Sequence, residues 1–149
     1  MVGCATSGDT LASFRESDFH GRRGEGSASI SGRAFVLDYL GDPIYGRSTE
    51  VTLAPATPYT LSRCDVIRSG GIPPDPDPRL EKYLRRTVTD GLGDFRFRKV
   101  TPGRYTLACT VSWDVPSPYN VHGVITKSRA IAVTANVEPE KITQIELTE

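Results

Sequence analysis

The sequence predicts an all-β fold, a seven-stranded antiparallel β-sandwich of Greek-key type with a long insertion after the second strand. Three observations carry this. Tyr105, Leu107, Cys109, Val111 and Trp113 alternate with Thr106, Ala108, Thr110 and Ser112, the period-two pattern of a strand with one buried face. Asp90-Gly91 and Pro102-Gly103 are turn dipeptides: glycine supplies a positive φ, and proline presets the first turn position. With 14 Gly and 11 Pro in 149 residues, the chain is punctuated too often for long helices. That length fits one domain.

The strands follow in order. Ile30, Gly32, Ala34 and Val36 alternate with Ser31, Arg33, Phe35 and Leu37, and Gly41 and Pro43 stop the run. Ser48 to Leu53 reads as a second strand with Val51 and Leu53 inward. The segment 54–86 is the insertion. Its alternating prolines, Pro74, Pro76 and Pro78, keep it out of a central sheet. Arg79 to Arg85 has the spacing for two helical turns, with Leu80, Tyr83 and Leu84 on one face. A short strand from Thr87 leads to the stretch from Thr89 to Leu107. There Phe95 and Phe97 oppose Arg96 and Arg98, and the Pro102-Gly103 turn predicts that this arm and the next pair as a hairpin. Val115 to Val121 is a loop, Val124 to Ala135 a strand with Ile131 and Val133 inward, and Ile142 to Leu147 the last strand.

Charge and composition exclude several classes. The 18 basic and 18 acidic residues cancel, which argues against a nucleic-acid partner. The basic group Arg85, Arg86, Arg96, Arg98, Lys99 and Arg104 reads as a solvated face. No apolar run has the ~20 residues of a membrane span.

The first 27 residues are polar and small, and read as a tether or tail, although Leu11, Phe14 and Phe19 offer a way to pin it to the domain. Gly3-Cys4-Ala5-Thr6-Ser7 resembles the end of a bacterial lipobox. That predicts lipid on Cys4, hence a membrane partner and a periplasm-facing place in the bacterial envelope; the alternative is an ordinary exposed thiol. Cys64 and Cys109 are the other cysteines. Either they bridge and staple the insertion to the sandwich, or they are two separate buried thiols.

The strands and turns together resemble the carboxypeptidase regulatory-like domain, one of the transthyretin-like β-sandwiches. The resemblance rests on Ile30-Ser31-Gly32-Arg33-Ala34, Asp42-Pro43-Ile44-Tyr45-Gly46, Val51-Thr52-Leu53, Gly93-Asp94-Phe95-Arg96-Phe97 and Pro102-Gly103-Arg104-Tyr105-Thr106-Leu107. It covers residues 28–149, interrupted at 54–86. It implies a folding motif without a catalytic group, and an accessory or cell-envelope module.

Enzymatic chemistries on related sandwiches lack their residues. Transthyretin-like hydroxyisourate hydrolases need two histidines, an arginine and a Tyr-Arg-Gly-Ser tail; this chain has only His20 and His122 and ends Glu146-Leu147-Thr148-Glu149. The two-Tyr, two-His iron site of intradiol dioxygenases fails on the same histidines. Asp75 and Asp77 do not converge for calcium, and Asp90 and Asp94 read as turn caps. No lysine on the first strand prepares an isopeptide crosslink, and no Gly-x-Ser-x-Gly elbow is present. The expectation is a protein without catalytic residues, metal or cofactor, with a structural or protein-interaction role. The alternative is a glycan- or peptide-binding module using Tyr59 in the insertion and Tyr119 in the 115–122 loop; Trp113 ends an inward row and reads as core.

Overall fold

The computed structural model describes residues 11–22 and 24–149, and Cys4, the expected lipid site, lies outside them. Among the described residues eight strands form: β1 (Ala28–Leu37), β2 (Pro43–Tyr45), β3 (Glu50–Pro55), β4 (Arg85–Val88), β5 (Asp94–Val100), β6 (Gly103–Pro116), β7 (Val124–Val137) and β8 (Ile142–Leu147). They build two four-stranded sheets. In the first, β1 pairs antiparallel with β2 and β5 and parallel with β8; the second runs β4-β3-β6-β7 and is antiparallel throughout.

The all-β sandwich is as expected, with two differences. The eighth strand is β2, three residues returning against the end of β1 after a turn that Asp38 closes by accepting from the amides of Leu40 and Asp42. The parallel pairing of β1 with β8 departs from a wholly antiparallel design.

The expected β5–β6 hairpin is also corrected. β5 pairs with β1 and β6 pairs with β3 and β7, so the Pro102-Gly103 turn is a corner between sheets. The reason lies in the alternation itself. Phe95, Phe97 and Val100 from one side and Tyr105, Leu107, Cys109 and Val111 from the other fill the same core. Two strands can bury their apolar faces against each other only from opposite layers. Lys99 at φ 55° and Gly103 at φ 142° take the sharp backbone of this corner.

The insertion folds largely as helix. α1 (Pro58–Arg68) begins at a reciprocal cap: the Thr57 side chain accepts from the Thr60 amide, and Thr60 accepts from the Thr57 amide, with Pro58 in the first helical position. α1 packs across β6 and β7 on the outer face of the second sheet. Ala54, Thr106 and Ala132 point away from the core yet are buried, and their small size suits the approach of a helix. The short 3-10 segment Pro78–Tyr83 stands where two helical turns were expected.

The stretch expected to be a tail is pinned along residues 11–22. Phe19 is 1% exposed and, with Tyr59 and Leu80, forms a second core against which Leu11, Phe14, Tyr83 and Leu84 pack. Phe19 stacks on Tyr83 at 4.4 Å and on Phe14 at 5.0 Å. The N-terminal segment and the insertion therefore hold each other.

Candidate functional site

The residues singled out in the sequence do not converge. Tyr59 is buried, and its hydroxyl accepts from the Asp77 amide at 2.8 Å, so it is a packing residue of the second core rather than a binding platform. Tyr119 is 92% exposed at the tip of the long β6–β7 hairpin. Trp113 is half-buried against the core, as expected.

Cys64 and Cys109 are both free and buried, which decides against the bridge. Cys109 faces the core between the sheets, while Cys64 lies on α1 with its thiol near the Val133 carbonyl, so the backbone of the second sheet separates them. Burial pushes the Cys109 thiol up to about 12 and raises that of Cys64 as well, so both are held as neutral, small apolar groups. Among the described residues, no three His, Cys, Asp or Glu side chains gather as a metal site.

What does converge is the outer face of the first sheet. Register places its side chains in rows across three strands. Glu146, Arg33 and Asp94 form one row, and Gln144, Ser31 and Arg96 the next. Toward the other end of β1, Phe35 stands opposite Tyr45 and Leu37 opposite Pro43. All of these residues but Arg96, which stands beyond its edge, line a shallow open depression of about 620 Å³.

Phe35 and Tyr45 are half-buried and meet edge to face, with centroids 6.5 Å apart. The Arg33 guanidinium lies 5.5 Å from the centre of the Tyr45 ring. It grips Asp94 with two hydrogen bonds, Nε to Oδ1 at 2.7 Å and Nη2 to Oδ2 at 3.2 Å. That contact holds the Asp94 carboxyl below its usual range and raises Arg33 further, so both stay charged. Asp94 is itself fixed by a turn in which Asp90 accepts from the amides of Leu92 and Asp94. Because the pair is exposed, solvent screens it and it contributes little to stability. Its effect is to hold a planar, charged surface beside two aromatic rings.

Two residues make this face close-knit. Gly93 adopts φ +80°, and a Cβ there would lie 2.5 Å from the Ala34 carbonyl oxygen, where β1 passes from β5 to β2. Thr89 is buried and donates to the Gly46 carbonyl, tying the end of β2 to the strand before the turn.

The sequence carried one signal for this site. Arg33, Phe35 and Leu37 fall on the outward side of the β1 alternation, and a large aromatic there has no core to enter.

No family model matches the chain, and no curated protein matches it. Among solved structures it resembles a Pseudomonas aeruginosa protein provisionally described as carbohydrate-binding. The TM-score is 0.78 at 24% identity, over 94% of this chain and all of that one. This likeness fixes the two-sheet fold. An (S)-allantoin synthase shares 15% identity at a TM-score of 0.35, too low to inform either fold or function.

Proposed function

We propose that this protein is a binding module that takes carbohydrate on the outer face of the first sheet and performs no chemistry on it. The observation that carries this is the half-buried, outward-facing pairing of Phe35 and Tyr45 beside the fixed Arg33–Asp94 pair. A sugar presents a C–H face and a rim of hydroxyls. An aromatic ring offers area to the first at little entropic cost, and planar charged or amide groups satisfy the second. Arg33 and Asp94 are held in place before any ligand arrives, which lowers the ordering cost of binding. The described similarity to a protein provisionally described as carbohydrate-binding supports the same reading. The site proposed here lies away from both the 54–86 insertion and the 115–122 loop. In this proposal the module belongs with the carboxypeptidase regulatory-like sandwiches and is displayed at the bacterial envelope by lipid on Cys4.

A second reading, a protein-interaction module, has its own observation. The β6–β7 hairpin runs beyond the sheet and ends in Tyr119 at 92% and Val121 at 93% exposure. A glycan array followed by calorimetry separates the two. The carbohydrate reading predicts retention of at least one glycan class by the wild type and its loss on Tyr45→Ala, with Tyr119→Ala unchanged. A wild type that retains no glycan, or retention insensitive to Tyr45→Ala, would overturn it.

A further inference from the structure

The outer face of the first sheet is uneven in charge. Arg33 is spent on Asp94, and the next strand on its other side brings Glu146 into register with it. Farther along β5, Arg96 stands opposite Ser31, and Arg98 follows two residues later. Both arginines are exposed and alternate with the buried Phe95 and Phe97. Among the described residues, neither guanidinium has a hydrogen-bond or ion-pair partner. The two arginines leave β5 two residues apart, Arg98 at the bulge where the register with β1 shifts, so they add two open guanidinium groups to this end of the sheet. The chain as a whole has a formal net charge of zero, so this is a local feature and not a general attraction for anions.

The geometry points to an acidic saccharide, a uronate-containing chain running along β1, with its carboxylate on Arg96 and a sugar ring on Phe35 and Tyr45. This rests on the carbohydrate reading of the same face. Ser31, in the Arg96 row, lies four residues from Phe35, roughly 13 Å along the strand, so the ligand spans more than one sugar. A guanidinium receives a carboxylate through two parallel N–H donors, which a neutral sugar cannot exploit. Arg98 takes the next acidic group along the chain. Glu146 and the Gln144 amide, on the β8 side, accept and donate to hydroxyls. Glu146 also repels a carboxylate set against that side, which orients the chain.

The test compares polygalacturonate with its methyl ester, which has the same backbone with the charge masked, and adds hyaluronan as a second acidic polymer. Affinities are measured at 50 and 300 mM NaCl. The wild type is expected to prefer the free acid about tenfold, as a charge-assisted contact allows. Arg96→Ala is expected to remove that preference and leave affinity for the ester unchanged. Glu146→Gln should tighten the free acid only, Tyr45→Ala should weaken both forms, and Lys127→Ala, a charge removed from the exposed hairpin, should change neither. Equal affinity for acid and ester, still lost on Tyr45→Ala, overturns the acidic preference and leaves the carbohydrate site standing. An equal loss from Lys127→Ala and Arg96→Ala overturns it in favour of diffuse attraction. Silence of the wild type on both acidic polymers overturns it too, and silence on every neutral glycan as well removes the underlying site.

Discussion

The two sheets present opposite outer faces. The second is covered in part: α1 lies across β6 and β7, and the N-terminal segment closes over the start of α1 through Phe19, Tyr59 and Leu80. Beneath the helix the outward positions Ala54, Thr106 and Ala132 are small. The first sheet is bare, yet its outward positions include Phe35, Tyr45 and Leu37, residues a solvated strand has no structural use for. A face that needs a cover is given small residues and a helix, whereas the other is given aromatics and no cover. That contrast locates the candidate site more firmly than any motif in the chain.

Substitutions sharpen the contrast through their cost. Phe19→Ala should destabilise by about 3–4 kcal/mol, because it empties the second core that locks the cover in place. Urea unfolding measures this, and a loss below ~1 kcal/mol would mean that the N-terminal segment does not hold the insertion. Ala132→Leu should cost about 2 kcal/mol by pushing α1 off the sheet, read from the same experiment.

The buried thiol gives a pH signature of the core beneath both faces. Cys109 is raised from 9.0 to about 12 in the folded protein, so its neutral form is the one the fold favours. Its contribution is complete below pH 9 and is lost as pH rises toward 12, since the unfolded thiol releases its proton first. Stability should therefore decline above pH 9 with a contribution approaching about 1.4 kcal/mol per pH unit. Cys109→Val should flatten that part of the slope relative to wild type; an unchanged slope would place the thiol outside the core.

On the bare face, Tyr45→Ala and Arg33→Ala should each leave the urea midpoint little changed, because the side chains are half-buried or exposed and the ion pair is solvated. A loss of several kcal/mol from either would make this face a structural one.

Much of the sandwich was legible from alternation. The rows from Ile30 to Val36 and from Tyr105 to Val111 show which side chains enter the core, since period two is a local property. Strand partners were not. Asp94–Val100, Pro102-Gly103 and the following strand read as a hairpin, because a corner and a hairpin use the same turn residues. α1 is hard to read in the sequence because its buried positions, Tyr59, Thr60, Cys64 and Val66, mix polar with apolar residues and make no continuous apolar stripe. Thr57-Pro58, a capping residue before a proline at the first helical position, was the overlooked signal. The site was hidden for a third reason. Arg33, Tyr45, Asp94 and Gln144 come from four strands, and only the register of β1 with β2, β5 and β8 makes them neighbours.

The most direct test of the central claim is amide chemical-shift mapping of isotopically labelled protein during titration with a glycan it retains. The account predicts perturbations concentrated at Ser31, Arg33, Phe35, Tyr45, Asp94 and Gln144, with α1 and the hairpin tip silent. Perturbations centred on Tyr119 and Val121, or on α1, would contradict it.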